Sequence, residues 1–231
     1  MLSLEVCQLL AYWRSLGGGD GVPERSALDL RRLTSVLPWM FILEMAGDGS
    51  LRYRLVGSSL EEAIGRGMAG QTFGEVFADG SQAAFMEELY AVALVQSSGV
   101  LRTGSFKLHS DNAFNMEVLT LPFQDARAMG STILVGAVRP FESDNRHFTD
   151  LWGQFDQQID ELLTIPSPRA VTSSLLSVRV HAFLAEHDLE LRAMDLNKVI
   201  ELDKRGMHDK HSEIPSLSLD ALGASPASSL N

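Results

Sequence analysis

The chain has 231 residues, 45% of them hydrophobic, enough for a packed core in one extended domain or two small ones. Its 19 Lys and Arg against 30 Asp and Glu give a net charge of −11, which excludes a primary role on nucleic acid or anionic membrane, where clustered cations neutralise phosphate. One cysteine, Cys7, excludes a disulfide framework and a cysteine-based zinc site.

No apolar run approaches the ~20 residues that span a bilayer, and no basic region precedes the first apolar stretch. A soluble, cytoplasmic protein of a reducing compartment is therefore expected. Leu2, Leu4, Val6, Leu9, Leu10, Trp13 and Leu16 recur at helical spacing, and Gly17 to Gly19 stop the run. The spacing predicts an amphipathic helix within residues 1–22 that docks on a sheet or on a partner's copy, with Leu9 and Trp13 as candidate interface residues. Cys7 reads as a small packing residue. The Gly-Gly-Gly-Asp string does not run into Glu-Phe, so the nucleotide-cyclase signature is absent. Pro23 to Arg25 open a connecting segment, and Pro38 turns Leu37 away from helical angles, which places a strand near Met40. Met40 to Met45 is apolar enough for a central strand, and Gly47 to Ser50 forms a hairpin turn.

Leu51, Tyr53 and Leu55 alternate with Arg52 and Arg54, the period of a half-buried antiparallel strand. At Gly57 the pattern changes: Ser58 and Ser59 are N-cap types, Glu61 and Glu62 suit a helix start, and Leu60, Ala63 and Ile64 form a short stripe. Gly65, Gly67 and Gly70 then turn the chain. Thr72 caps a single apolar turn carrying Phe73, Val76 and Phe77. Asp79 to Ser81 break it, and a longer helix from Ala83 to Gln96 places Phe85, Leu89, Val92 and Val95 near one face. Three alternating segments follow, Leu101 to His109, Phe114 to Pro122 and Ser131 to Pro140. Thr132 to Val138 is too apolar for an edge and reads as the central strand.

The run Tyr53-Arg-Leu-Val-Gly57 followed by Gly65, Arg66 and Gly70 resembles the PAS-type domains found as small standalone sensory or regulatory proteins in alphaproteobacteria. Pro23, Arg25, Asp29 and Leu37-Pro38 match that family's entry segment, and the resemblance covers about residues 8 to 140. It implies an α+β, PAS-like five-stranded antiparallel sheet over residues 23–141, with short helices on one face and amphipathic helices flanking it at both termini. The candidate cavity between sheet and helices is lined by Leu43, Tyr53, Leu55, Phe73, Phe77, Phe85, Met116 and Leu134, which equally describe an ordinary filled core. Arg66, kept in the same turn by the family, either binds an acidic ligand group or pairs with a carboxylate to fix the turn.

Beyond Pro140, Phe148, Leu151, Trp152, Phe155, Ile159, Leu162 and Leu163 recur at three- and four-residue steps. They predict an amphipathic helix over residues 142–165 that packs back on its own sheet or serves as the dimer or output helix of a PAS protein. Phe148, Leu151, Trp152, Phe155 and Ile159 are its candidate interface. Residues 166–205 read as a weakly packed helical appendage, and residues 206–231, rich in Ser, Ala and Pro, as a disordered tail.

No nucleophile, base and orienter converge. His109 is the single histidine of the compact region, and no Gly-x-Ser-x-Gly motif occurs. His208 and His211 have metal-like spacing without a core to organise them, so no metal site is expected. Gly65-x-Gly67-x-x-Gly70 follows a helix instead of linking a strand to one, so it is no dinucleotide fingerprint. The family's covalent flavin sensors need a cysteine in the turn after the second strand. Its haem sensors use a histidine on the long helix. Both are missing here, so no cofactor is expected. The reading is a non-enzymatic bacterial PAS signalling protein, a homodimer or a binder of other signalling proteins, gated by a non-covalent small ligand. Its alternative is a ligand-free interaction scaffold or, further off, an enzyme of unfamiliar type.

Overall fold

In the computed structural model, residues 2–17, 21–96, 98–107, 113–125, 131–140, 156–165 and 177–194 are described. The chain divides into two units, Met1–Leu196 and Asn197–Asn231, and the second lies wholly outside the described residues, as do residues 141–155. The expected tail, the first part of the expected output helix and much of the appendage therefore fall outside them.

Helix α1 (Leu4–Ser15) forms where the apolar stripe predicts it, with Glu5 in its first turn, Arg14 in its last and Gly17 at φ 92° beyond its end. Val6, Leu9, Leu10 and Trp13 are buried. Each such side chain contributes about 1.5–3 kcal/mol on leaving water. The indole N–H of Trp13 donates to the carbonyl of Pro122 at 2.9 Å, the amide of Ser3 to the Glu117 carboxylate at 2.7 Å, and Glu5 pairs with Arg139 at 3.4 Å. The helix thus docks on its own sheet. Tyr12 ties the connecting segment down, accepting from the Asp29 amide at 2.7 Å and donating to the carbonyl of Ala27 at 3.1 Å.

Leu37–Trp39 is a 3-10 turn with Pro38 inside it, so Leu37 is not expelled from helical geometry; proline needs no N–H this early in a turn. Strand β1 (Met40–Met45) starts directly after it, and β2 (Leu51–Val56) follows a turn held by Asp48, which accepts from the amide and hydroxyl of Ser50 at 2.9 and 2.6 Å. Helix α2 (Ser58–Ile64) is capped by Gly57 and not by the serines, and ends at Gly65 with φ 75°. The turn Phe73–Val76 carries the reciprocal capping box of Thr72 and Glu75. Helix α3 (Gly80–Val95) leads to β3 (Gly99–Lys107), β4 (Ala113–Asp125) and β5 (Ser131–Pro140).

Among the described residues the sheet has seven strands, not five, in the order β2-β1-β5-β4-β3-β6-β7. Asp156–Ile165, expected as the end of the output helix, is strand β6, antiparallel on the edge of β3. Helix α4 (Val178–Glu186) and a short parallel strand β7 (Leu191–Ala193) follow it. The part of the appendage that is described is well packed: Val180, Phe183, Leu184 and Met194 are buried, and Phe183 stacks on Phe85 of α3 at 4.1 Å. Of the first five strands β5 is the central one, as expected; in the full sheet the centre moves to β4.

Two bulges set which residues face inward. Between β1 and β2 the register passes from Ile42↔Leu55 to Leu43↔Tyr53, skipping Arg54. Between β3 and β6 it passes from Thr103↔Glu161 to Gly104↔Ile159, skipping Asp160. The sheet's inner face then meets α2, α3 and α4 in one cluster that includes Leu43, Tyr53, Phe73, Phe85, Leu134 and Leu162.

Candidate functional site

The inner cluster is organised around an aromatic chain. Phe41 meets Tyr53 edge-on at 6.0 Å, Tyr53 lies 5.9 Å from Phe73, and Phe73 lies 5.2 Å from Phe77 and 5.1 Å from Tyr90. The rings come from β1, β2, the Phe73–Val76 turn and α3, so the site is where the strands and the helical layer converge. At the end of this chain the guanidinium of Arg102 sits 5.6 Å from the centroid of the Tyr90 ring.

Arg102 is on β3 opposite Val118 of β4 and Leu162 of β6, on the inner face, and is 3% exposed. Its Nε and Nη1 are buried and have no hydrogen-bond partner, and neither has the hydroxyl of the fully buried Tyr90. The carboxylates on the neighbouring strands are turned away by the register. Glu117 and Glu161 both pair with Thr103, one step from Arg102, which puts them on the opposite face. There Glu117 accepts from the Ser3 amide, and Glu161 takes Arg192 at 2.9 Å. Among the described residues no carboxylate forms an ion pair with Arg102.

Burial pushes the Tyr53 phenol well up, against the pull of Arg102 and, more weakly, Arg66, so it stays protonated as a hydrogen-bond donor. Each unsatisfied buried polar group costs about 1–3 kcal/mol, a charged one more. The ring face of Tyr90 returns about 2 kcal/mol to a desolvated cation. The interior therefore holds a cation whose neighbours compensate it only in part.

Leu43, Tyr53, Phe73, Phe77, Phe85, Met116 and Leu134 do come together in the inner cluster. Leu55 does not: the bulge at Arg54 pairs it with Ile42, away from Tyr53, and it is only half-buried. Arg66 donates to the main-chain carbonyl of Glu75 at 2.9 Å, tying its turn to the next one without a carboxylate, while its Nε is buried without a partner.

Leu9 and Trp13, expected as interface residues, are buried against their own sheet, and Ile159 is packed inside the core. Phe148, Leu151, Trp152 and Phe155 lie outside the described residues. Among the described residues no group of three His, Cys, Asp or Glu is placed to hold a metal, and no helix is long and apolar enough to cross a membrane.

Sequence reasoning missed Arg102 and Tyr90. Alternation across Leu101, Arg102 and Thr103 suggests an outward arginine when one face of a sheet is wet. The clue was the adjacent pair Val100-Leu101 together with an apolar N-terminal helix. A sheet covered on both sides leaves no solvent face for Arg102.

The family described as PAS domain matches the chain over residues 1–138. No curated protein matches. Among solved structures, the PAS domain of BvgS from Bordetella pertussis is 18% identical with a TM-score of 0.38, covering 47% of this chain and 80% of that one. The PAS domain of an HTR-like protein from Haloarcula marismortui is 14% identical, with a TM-score of 0.33 and coverages of 48% and 90%. The PAS domain of a protein from Colwellia psychrerythraea is 13% identical, with a TM-score of 0.34 and coverages of 50% and 98%.

Proposed function

The chain belongs to the PAS domain family, in general a sensory and signalling module, and from that premise we propose a non-enzymatic cytoplasmic regulator that reports the state of its interior through protein contacts. The observation that carries this reading is the continuity between the inner cluster and the C-terminal segment. Helix α3 presents Tyr90 to the aromatic chain at one end. Near its other end the Gln82 side chain accepts from the amide of Gln157 in β6 at 2.9 Å and donates to the Gln157 carbonyl. Between them Phe85 stacks on Phe183 of α4. A small molecule that shifts α3 changes how β6 and α4 dock, and a ligand favouring one docking shifts the population toward it. Output then passes to other signalling proteins or to a second copy through surfaces that include this C-terminal region.

A second reading, an interaction scaffold without a ligand, is favoured by the dense interior: Leu43, Phe85 and Leu134 are fully buried and fill space as a core does. Native mass spectrometry before and after refolding from denaturant, with hydrogen exchange on both samples, separates the two. The sensory reading expects a mass surplus in the native sample that refolding removes, with slower exchange in β6 and α4 while the molecule is bound. Identical masses and identical exchange in those elements would leave the scaffold.

A further inference from the structure

Resting on the sensory reading and deepening it, we propose that the interior binds a small organic carboxylate, gripped by Arg102 beside Tyr90, with the ligand's apolar body against Phe73 and Tyr53.

The orphaned groups point to this chemistry. Nε and Nη1 of Arg102 and Nε of Arg66 are donors with no acceptor, and the Tyr90 hydroxyl has no partner either. What the site lacks is an acceptor-rich anion. Nε and Nη1 lie on opposite sides of the guanidinium, so each donates singly to an anionic oxygen, and such charge-assisted hydrogen bonds are stronger where water is excluded. A buried cation calls for a counter-charge, and the strand register turns both neighbouring glutamates to the far face. The aromatic rings beside the guanidinium suit an organic acid with an apolar body better than a bare inorganic anion. Arg102 lies beside Tyr90 on α3, the helix that holds β6 and α4, so a ligand that reorients it acts directly on the lever of the proposed switch.

The test is thermal unfolding of the full chain in sodium benzoate, against sodium chloride at equal ionic strength and against benzamide as the uncharged isostere. Wild type is expected to gain several degrees in benzoate and nothing in benzamide. Arg102→Met, which keeps the length of the stem and removes the charge, is expected to lose the gain. No benzoate gain in wild type, or an equal gain in the variant, overturns the proposal. So does an equal gain from inorganic phosphate, which would make the site one for an adventitious or inorganic anion. Should Arg102→Met fail to fold, Tyr90→Phe removes only the hydroxyl, and calorimetry should show benzoate affinity about tenfold weaker; unchanged affinity would overturn the assignment. Benzoate binding that leaves exchange in β6 and α4 untouched would keep the carboxylate site and reject the sensory reading. Failure to bind would reject the site alone.

Discussion

Arg102 and Asp79 are both charged, yet their environments give them opposite energetic roles. Arg102 is 3% exposed, opposite Val118 and Leu162 and beside the Tyr90 ring, so its charge is kept at a cost that the ring offsets only in part. Without ligand, Arg102→Met should be no less stable than wild type, as judged by urea unfolding, because an apolar side chain of similar length replaces a partly uncompensated cation. Asp79 is exposed and starts α3, accepting from the Ser81 amide and hydroxyl at 2.8 Å. The hydroxyl and then the amide of Ser81 hold its carboxyl below the usual range. A carboxyl lowered by folding contributes stability above its unfolded value, and that contribution is lost as pH falls through the folded one. Asp79→Ala should cost about 1 kcal/mol at pH 7 in urea unfolding. The gap between variant and wild type should close as pH drops below about 4. A gap that stays constant into acid would assign the effect to something other than the charged cap.

At the scale of elements, the passage from β2 to α2 depends on one glycine. Gly57 donates to the Met40 carbonyl at 2.7 Å, and a Cβ there would run into the carbonyl oxygens of Leu37 and Pro38. Those atoms belong to backbone, which cannot swing aside. Gly57→Ala is therefore expected to destabilise by about 3 kcal/mol in urea unfolding, above the ordinary glycine-to-alanine effect. A neutral substitution would mean that the 3-10 turn at Leu37–Trp39 is free to move. The two bulges have a shared consequence. Each turns a two-residue inward step into a three-residue one: Tyr53 to Val56 on β2, and Ile159 to Leu162 on β6.

For the whole molecule, the described residues after Pro140, 156–165 and 177–194, are part of the fold. Strand β6 covers the edge of β3, and Ile159, Leu162, Val180, Phe183 and Leu184 complete the inner cluster. An uncovered edge offers unpaired amides and carbonyls to other chains. Ending the chain at residue 140 should lower the unfolding temperature by more than 10 °C and promote aggregation, since burying each of those side chains contributes about 1.5–3 kcal/mol. A soluble fragment that unfolds at the wild-type temperature would show the extension to be an accessory. Outer-face cover comes from α1, which spends Leu9 and Trp13 on β4 and β5.

Local chemistry determined much of this molecule before any folding partner was known. Glycines and caps near the element ends, alternation in β3 to β5 and the stripe of α1 act over a few residues, and they placed the strands, the helices and the PAS family together. Seven of the expected lining residues share a core because their apolar character leaves them nowhere else to go. Tertiary structure decided the rest. Spacing from Phe155 through Ile159 to Leu162 reads as helical, but across β6 the three-residue step is the mark of a bulge, and the open edge of β3 selects the strand. Leu55 left the inner face for the same kind of reason. Whether Arg102 faces solvent or the interior depends on which sides of the sheet are covered and on the register that turns Glu117 and Glu161 away. Those are contacts between segments far apart in the chain, and no window of sequence contains them.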